Sequence, residues 1–196
     1  MKIRCVWEHN GEDSLLYAEH FPGAFTRGAG RAAALAKMPG EIASYLKWRG
    51  ETVPDALEAE SVQLEIVQEK ASGLTVSDAD SDVLFDAEKG PISRAEYEAL
   101  KALAMQSARD FLALYEAVPD KHKSCLPVRK SFYGPVPRTA AEMYEHAKNV
   151  NDYYFGEIGV ETDHAGDHRG MPGAGLCAAG KAARFSGKCR GRGQLR

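Results

Sequence analysis

The chain has 196 residues, 44% of them hydrophobic and 27% charged, with a formal net charge of −3. That length allows one ordinary domain or two small ones. The slight acidity argues against a general nucleic-acid binder, which needs a basic face. No apolar run approaches the ~20 residues that span a bilayer, and Met1–Asp13 is polar where a signal peptide needs an apolar stretch. A reducing cytoplasm is therefore the expected location. The four cysteines, Cys5, Cys125, Cys177 and Cys189, form no C-x-x-C pair of the kind a structural zinc site uses, so free thiols are expected.

Lys2 to Glu8 reads as a strand with Ile3, Cys5 and Trp7 on one face. Asn10-Gly11 accepts positive φ and predicts a hairpin turn. Leu15 to Phe25 reads as a second strand interrupted at Pro22-Gly23 and closed by Gly28 and Gly30. Arg31 to Trp48 carries Leu35, Met38, Ile42 and Tyr45 at helical spacing. Pro39-Gly40 falls inside that stripe and predicts a kink or break. Val62, Leu64 and Ile66 alternate as a third strand, and Val83 to Phe85 reads as a short fourth. The order is ββαβ(β), with Phe21, Phe25, Leu35, Ile42 and Leu64 as expected core residues.

Asp78-Ala79-Asp80-Ser81-Asp82 has the opening of a calcium loop. Such a loop needs Gly at its sixth position and Glu at its twelfth. Those positions hold Val83 and Lys89, so the segment reads as a solvated acidic turn before the fourth strand.

The stretch Phe21-Pro22-Gly23-Ala24-Phe25-Thr26-Arg27-Gly28, followed by an Ala/Leu-rich helix, resembles the HicB family over about residues 1–70. That family carries a Pro-Gly, four residues and a Gly on its second strand. The resemblance implies a toxin-neutralising antitoxin with a small protein partner. HicB proteins often continue into a DNA-binding segment, but no helix-turn-helix or ribbon-helix-helix pattern follows here.

Ser93-Arg94-Ala95-Glu96 is a capping box and predicts a helix running to about Val118, where Pro119 stops it. Tyr97, Leu100, Ala104, Ala108, Phe111, Tyr115 and Val118 form its apolar stripe. Thr139-Ala140-Ala141-Glu142 is a second capping box. Its helix places Met143, His146, Val150 and Tyr153 on one face, expected to point inward, and ends near Gly156 or Gly159. Two helices cannot close a core alone, so an incomplete antiparallel bundle is expected.

This pattern resembles the DinB-like superfamily over about residues 93–158. There an inward His on the second helix and an H-x-x-x-H pair on a later helix bind a metal. The resemblance implies His146 as one ligand and a divalent ion such as zinc, nickel or iron; relatives include thiol-group transferases. His164-Ala165-Gly166-Asp167-His168 has the spacing of the later pair. Gly166 and Gly170 each cost a helix there ~1 kcal/mol, so completion by His164 and His168 is disfavoured.

From Arg169 to Arg196 there are seven Lys/Arg and seven Gly, with no Asp or Glu. A one-base shift near codon 167 offers an alternative reading with acids and apolar residues at helical spacing. The tail is therefore expected to be disordered or frameshift-derived.

The whole reads as an α+β protein: a HicB-like domain over 1–90, a DinB-like helical segment over 91–160 and a Gly/Arg-rich tail over 161–196. The expected function is an interaction module without its own catalysis, binding a small protein or a second copy, with no membrane or nucleic-acid partner. A metal-dependent thiol transferase and an antitoxin are the alternatives. Limited trypsin digestion tests the tail: cleavage from Arg169 onward should precede any cut between Ser93 and Val118, as followed by mass spectrometry.

Overall fold

The computed structural model describes residues 1–58, 61–124, 126–131, 134–157 and 159–160. The fold is α+β, and the described residues divide into two units between Ser93 and Arg94. The first unit runs β1 (Lys2–Asn10), β2 (Asp13–Ala18), β3 (Phe25–Ala29), α1 (Arg31–Arg49), α2 (Asp55–Glu58) and β4 (Gln63–Ala71). The sheet order is β3-β2-β1-β4. β1, β2 and β3 form an antiparallel meander, and β4 lies parallel to β1 on its other side. A parallel neighbour needs a crossover, which α1 supplies.

Each turn has a local cause. Asn10 pairs with Asp13 across the first hairpin, and Gly11 takes the positive φ of 60° that the turn needs. The expected second strand, Leu15–Phe25, is in fact two strands. The chain reverses between Ala18 and Ala24, held by Ala18 N–H to Ala24 O at 3.1 Å and Ala24 N–H to Phe21 O at 2.8 Å. Gly23 sits at φ 95° in that reversal. Pro22-Gly23 is thus a hairpin and not an interruption, and the order becomes βββαβ.

α1 runs without a break through Pro39-Gly40, against expectation. Met38 and Ile42 lie on the same buried stripe on either side, both fully buried. Burying each contributes roughly 1.5–3 kcal/mol, enough to offset the ~3 kcal/mol cost of an interior proline. The helix ends at Gly50 in the left-handed region, φ 71°, with its N–H on Leu46 and Lys47 carbonyls.

One sheet face packs on α1. Ile3, Cys5, Leu16, Ala18, Ala24, Ala34, Met38, Ile42, Leu46 and Leu57 form that core, with Phe21, Leu35 and Leu64 packed against it. Phe25 is corrected: it is 39% exposed and lies beside Tyr17, with ring centroids 6.1 Å apart. Tyr17 and Phe25 are register partners on the opposite face, because side chains alternate along each strand. Burial pushes the Cys5 thiol up to about 11, which makes it an inert core residue.

Helix and sheet meet closely at Gly28. A Cβ there would lie 2.7 Å from the Ala34 nitrogen and 2.9 Å from the Ala33 Cβ. The docking is reinforced by Thr26, whose hydroxyl donates to the Ala34 carbonyl at 2.8 Å, and by Lys37 Nζ on the Arg27 carbonyl at 2.6 Å.

No strand forms at Val83–Phe85, which is also a correction. The segment is irregular and continues into a single 3-10 turn, Asp86–Glu88. It crosses the second face of the sheet, and its backbone is bonded to side chains. Gln68 donates to the Leu84 carbonyl at 2.9 Å and accepts from Asp86 N–H at 2.8 Å.

The second unit holds α3 (Arg94–Ala117) and α4 (Ala140–Glu157), with a short bridge between Lys130–Ser131 and Gly134–Pro135. The end of α3 meets the early turns of α4 through Tyr144. Its ring stacks on Tyr115 at 4.4 Å and lies 6.2 Å from Phe111. No helix of the described residues is long and apolar enough to cross a membrane.

Two glycine substitutions separate these causes. Gly28→Ala should destabilise the protein by about 1–3 kcal/mol, because backbone must move to admit the methyl. Gly40→Ala, in the interior of α1 with nothing within 4 Å of the new methyl, should stabilise by about 0.5–1 kcal/mol. Thermal denaturation of both variants checks the opposite signs.

Candidate functional site

Chemistry-bearing side chains gather in both units of the described chain. In the first, the second face of the sheet carries Val6 and Glu8 from β1 and Leu15 and Tyr17 from β2. The segment from Leu74 to Lys89 lies over it. Val76 is buried there, and Phe85 meets Tyr17 at 5.4 Å.

Glu8 is fully buried, although carboxylates rarely are. Its Oε2 accepts from the Ser81 hydroxyl and its Oε1 accepts from Asp82 N–H at 3.3 Å. Lys70, the register partner of Glu8, reaches the Asp82 carboxylate at 2.7 Å and its carbonyl at 3.0 Å. Two further side chains take strap carbonyls: Asn10 that of Leu74 at 2.6 Å, and Arg27 that of Ser77 at 3.3 Å. Through Ser81 and Asp82 the acidic run therefore holds a strap to the sheet. It was expected to be a turn before a strand; the turn is present and the strand is not.

At the start of α1 the exposed Arg31 guanidinium stands 5.1 Å above the Trp7 ring. His9 stacks on Trp7 at 4.2 Å and meets Glu69 at 3.2 Å. Trp7 Nε1 donates to the buried Ser14 hydroxyl at 3.0 Å. A cleft of about 210 Å³ is lined by Asp13, Ser14, Arg27, Gly28 and Ser77.

In the second unit the second capping box is formed. Glu142 N–H donates to Thr139 Oγ1 at 3.1 Å, and Glu142 Oε2 accepts from Thr139 N–H at 3.1 Å and Arg138 N–H at 2.7 Å. The Arg138 amide bond, followed by that of Thr139, holds the Glu142 carboxyl below its usual range.

The expected inward face of α4 is corrected. His146 is exposed, as are Met143 at 40% and Tyr153 at 60%, and of the four expected residues Val150 alone is half-buried. The helix is rotated so that Tyr144 and Ala147 turn toward the less exposed side. The reason is the stacking of Tyr144 on Tyr115 and Phe111, which anchors a different stripe. Among the described residues, no three His, Cys, Asp or Glu side chains converge as metal ligands. His164 and His168 lie outside the described residues, as do Cys125, Cys177, Cys189 and the whole 161–196 tail.

Sequence reasoning missed Glu8 and the strap. The available signal was Val6 and Leu15, apolar residues on the face opposite Ile3 and Cys5, which require a cover on both sides of the sheet. The resemblances to HicB-like and DinB-like proteins find no counterpart in the comparisons: no family model, no curated protein and no solved structure matches the chain.

The capping box gives a pH-dependent prediction. A carboxyl held below its ordinary value stabilises the fold above the unfolded-state value and loses that contribution as pH falls through the folded one. Glu142→Gln should thus narrow the stability gap between neutral and acidic pH relative to the parent. Thr139→Ala should cost about 1 kcal/mol at neutral pH. Denaturant titrations at neutral and acidic pH measure both.

Proposed function

We propose that this chain is an interaction module without its own catalysis, in which α3 and α4 complete a helical bundle against a second copy. The observation that supports it is the incomplete cover on the helical unit. No residue of α3 is buried. Leu114 is 70% exposed and Leu100 42%, while α4 presents Met143, Tyr153 and Tyr154. Exposed apolar surface of this kind favours association. Two helices supply half of a four-helix bundle, and a twofold axis supplies the other half from the same sequence.

A cytoplasmic setting accords with this role. The HicB-like reading of the first unit rests on Phe21–Gly28, and it points to a second role, as an antitoxin holding a small toxin. In that reading the glycines have folding tasks, Gly23 in the hairpin and Gly28 beneath α1. A small toxin purified together with the chain at equal stoichiometry is the sign of that role.

Light scattering across a micromolar concentration series tests self-association. The parent chain should move from monomer to dimer, and Leu114→Glu should shift the midpoint at least about tenfold higher, since a charge replaces an apolar contact. A parent chain monomeric throughout defeats the reading. Near-stoichiometric zinc, nickel or iron, lost in His146→Ala, replaces it with the metal-dependent one.

A further inference from the structure

We propose that residues 74–89 are a strap that opens as one unit from the second face of the sheet while the sheet and α1 stay folded. The closed strap is held unlike the rest of the first unit. The strands are joined by backbone ladders and α1 by a continuous apolar core. The strap's carbonyls at Leu74, Ser77, Asp82 and Leu84 are taken instead by Asn10, Arg27, Lys70 and Gln68 side chains. When the strap lifts, those long polar groups return to water at little cost. Segments with few buried apolar contacts and water-accessible hydrogen bonds open before the global fold does.

Two features oppose closure. Ala79 sits at φ 63°, the left-handed region, and among the described residues no other non-glycine has a positive φ. L-residues disfavour that region. Glu8 is desolvated when the strap is closed, and burying a carboxylate is costly unless it is fully satisfied. Its partners here are the Ser81 hydroxyl and the Asp82 N–H, both belonging to the strap. Opening rehydrates Glu8 and relaxes Ala79 in one motion. Burial of Val76 and the Phe85–Tyr17 contact favour closure. Lifting the strap uncovers an apolar strip of Val6, Leu15 and Tyr17 bordered by Glu8 and Arg27.

Hydrogen exchange of the full chain, read amide by amide by NMR, tests this. The Asp82 N–H, bonded to Glu8, and the Asp86 N–H, bonded to Gln68, report on opposite sides of the strap. Both should exchange at one common opening equilibrium, at least about tenfold more open than the β1 and β2 amides. Ser81→Ala leaves the closed carboxylate with one donor fewer. It should raise exchange at both amides about tenfold, although Ser81 has no bond to Gln68. Ala79→Gly removes the backbone penalty and should slow both about threefold. The strand amides at Leu15 and Leu16 should not move in either variant. A Ser81→Ala effect confined to Asp82, a change shared equally by β1 and β2, or no effect at either amide overturns the proposal.

Discussion

The first unit depends on one close approach, that of the opening turn of α1 to the backbone of β3 at Gly28. With 2.7 Å between the Ala34 nitrogen and the place a Cβ would take, no other residue fits without moving backbone. The consequence is geometric. The helix seated there lies over β3 and β2, and its Ala34, Met38, Ile42 and Leu46 share one core with Ile3, Cys5 and Leu16. It also delivers the chain to the far side of β1, where β4 completes the sheet in parallel. The buried Thr26 hydroxyl on the Ala34 carbonyl fixes the same junction from the strand side.

A four-stranded sheet has two faces, and one helix covers one of them. The second face is apolar at Val6 and Leu15, so leaving it open to water would forfeit roughly 1.5–3 kcal/mol for each. The chain solves this with an irregular strap, which carries backbone polar groups onto that face. Those groups need partners. That need explains why the face mixes apolar residues with Glu8, Arg27, Gln68 and Lys70. The polar side chains serve the strap's backbone, and the apolar ones lie beneath it.

The helical unit follows a different rule. Its pairing rests on aromatic stacking, Tyr144 on Tyr115 with Phe111 behind. Lys121 extends the cluster, with its Nζ 5.1 Å from the Tyr115 ring and its carbonyl receiving Ala141 N–H. Planar stacking selects the rotation of α4 more sharply than aliphatic contact does, because ring pairs favour particular offsets. That selection leaves His146 exposed and its stripe facing away from the stack.

Local chemistry made much of this legible in the sequence. The Asn10-Gly11 hairpin, the extent of α1, the Thr139–Glu142 capping box and the stop of α3 before Pro119 all follow from turn preference, periodicity and capping, which act within a few residues. The α+β class follows from them as well. Tertiary structure decided whatever depends on distant partners. Pro39 stays helical because Met38 and Ile42 find a core; Phe25 turns outward because β3 pairs with β2 at Tyr17; Val83–Phe85 lies irregular where Gln68 takes the Leu84 carbonyl and the Asp86 N–H that follows it. The same holds for the candidate sites. The buried state of Glu8 depends on Ser81 and Asp82, more than seventy positions away, and the exposure of His146 depends on which aromatic face α3 offers. Periodicity states that a helix or strand has two sides, and only the packing of its neighbours determines which side is inside.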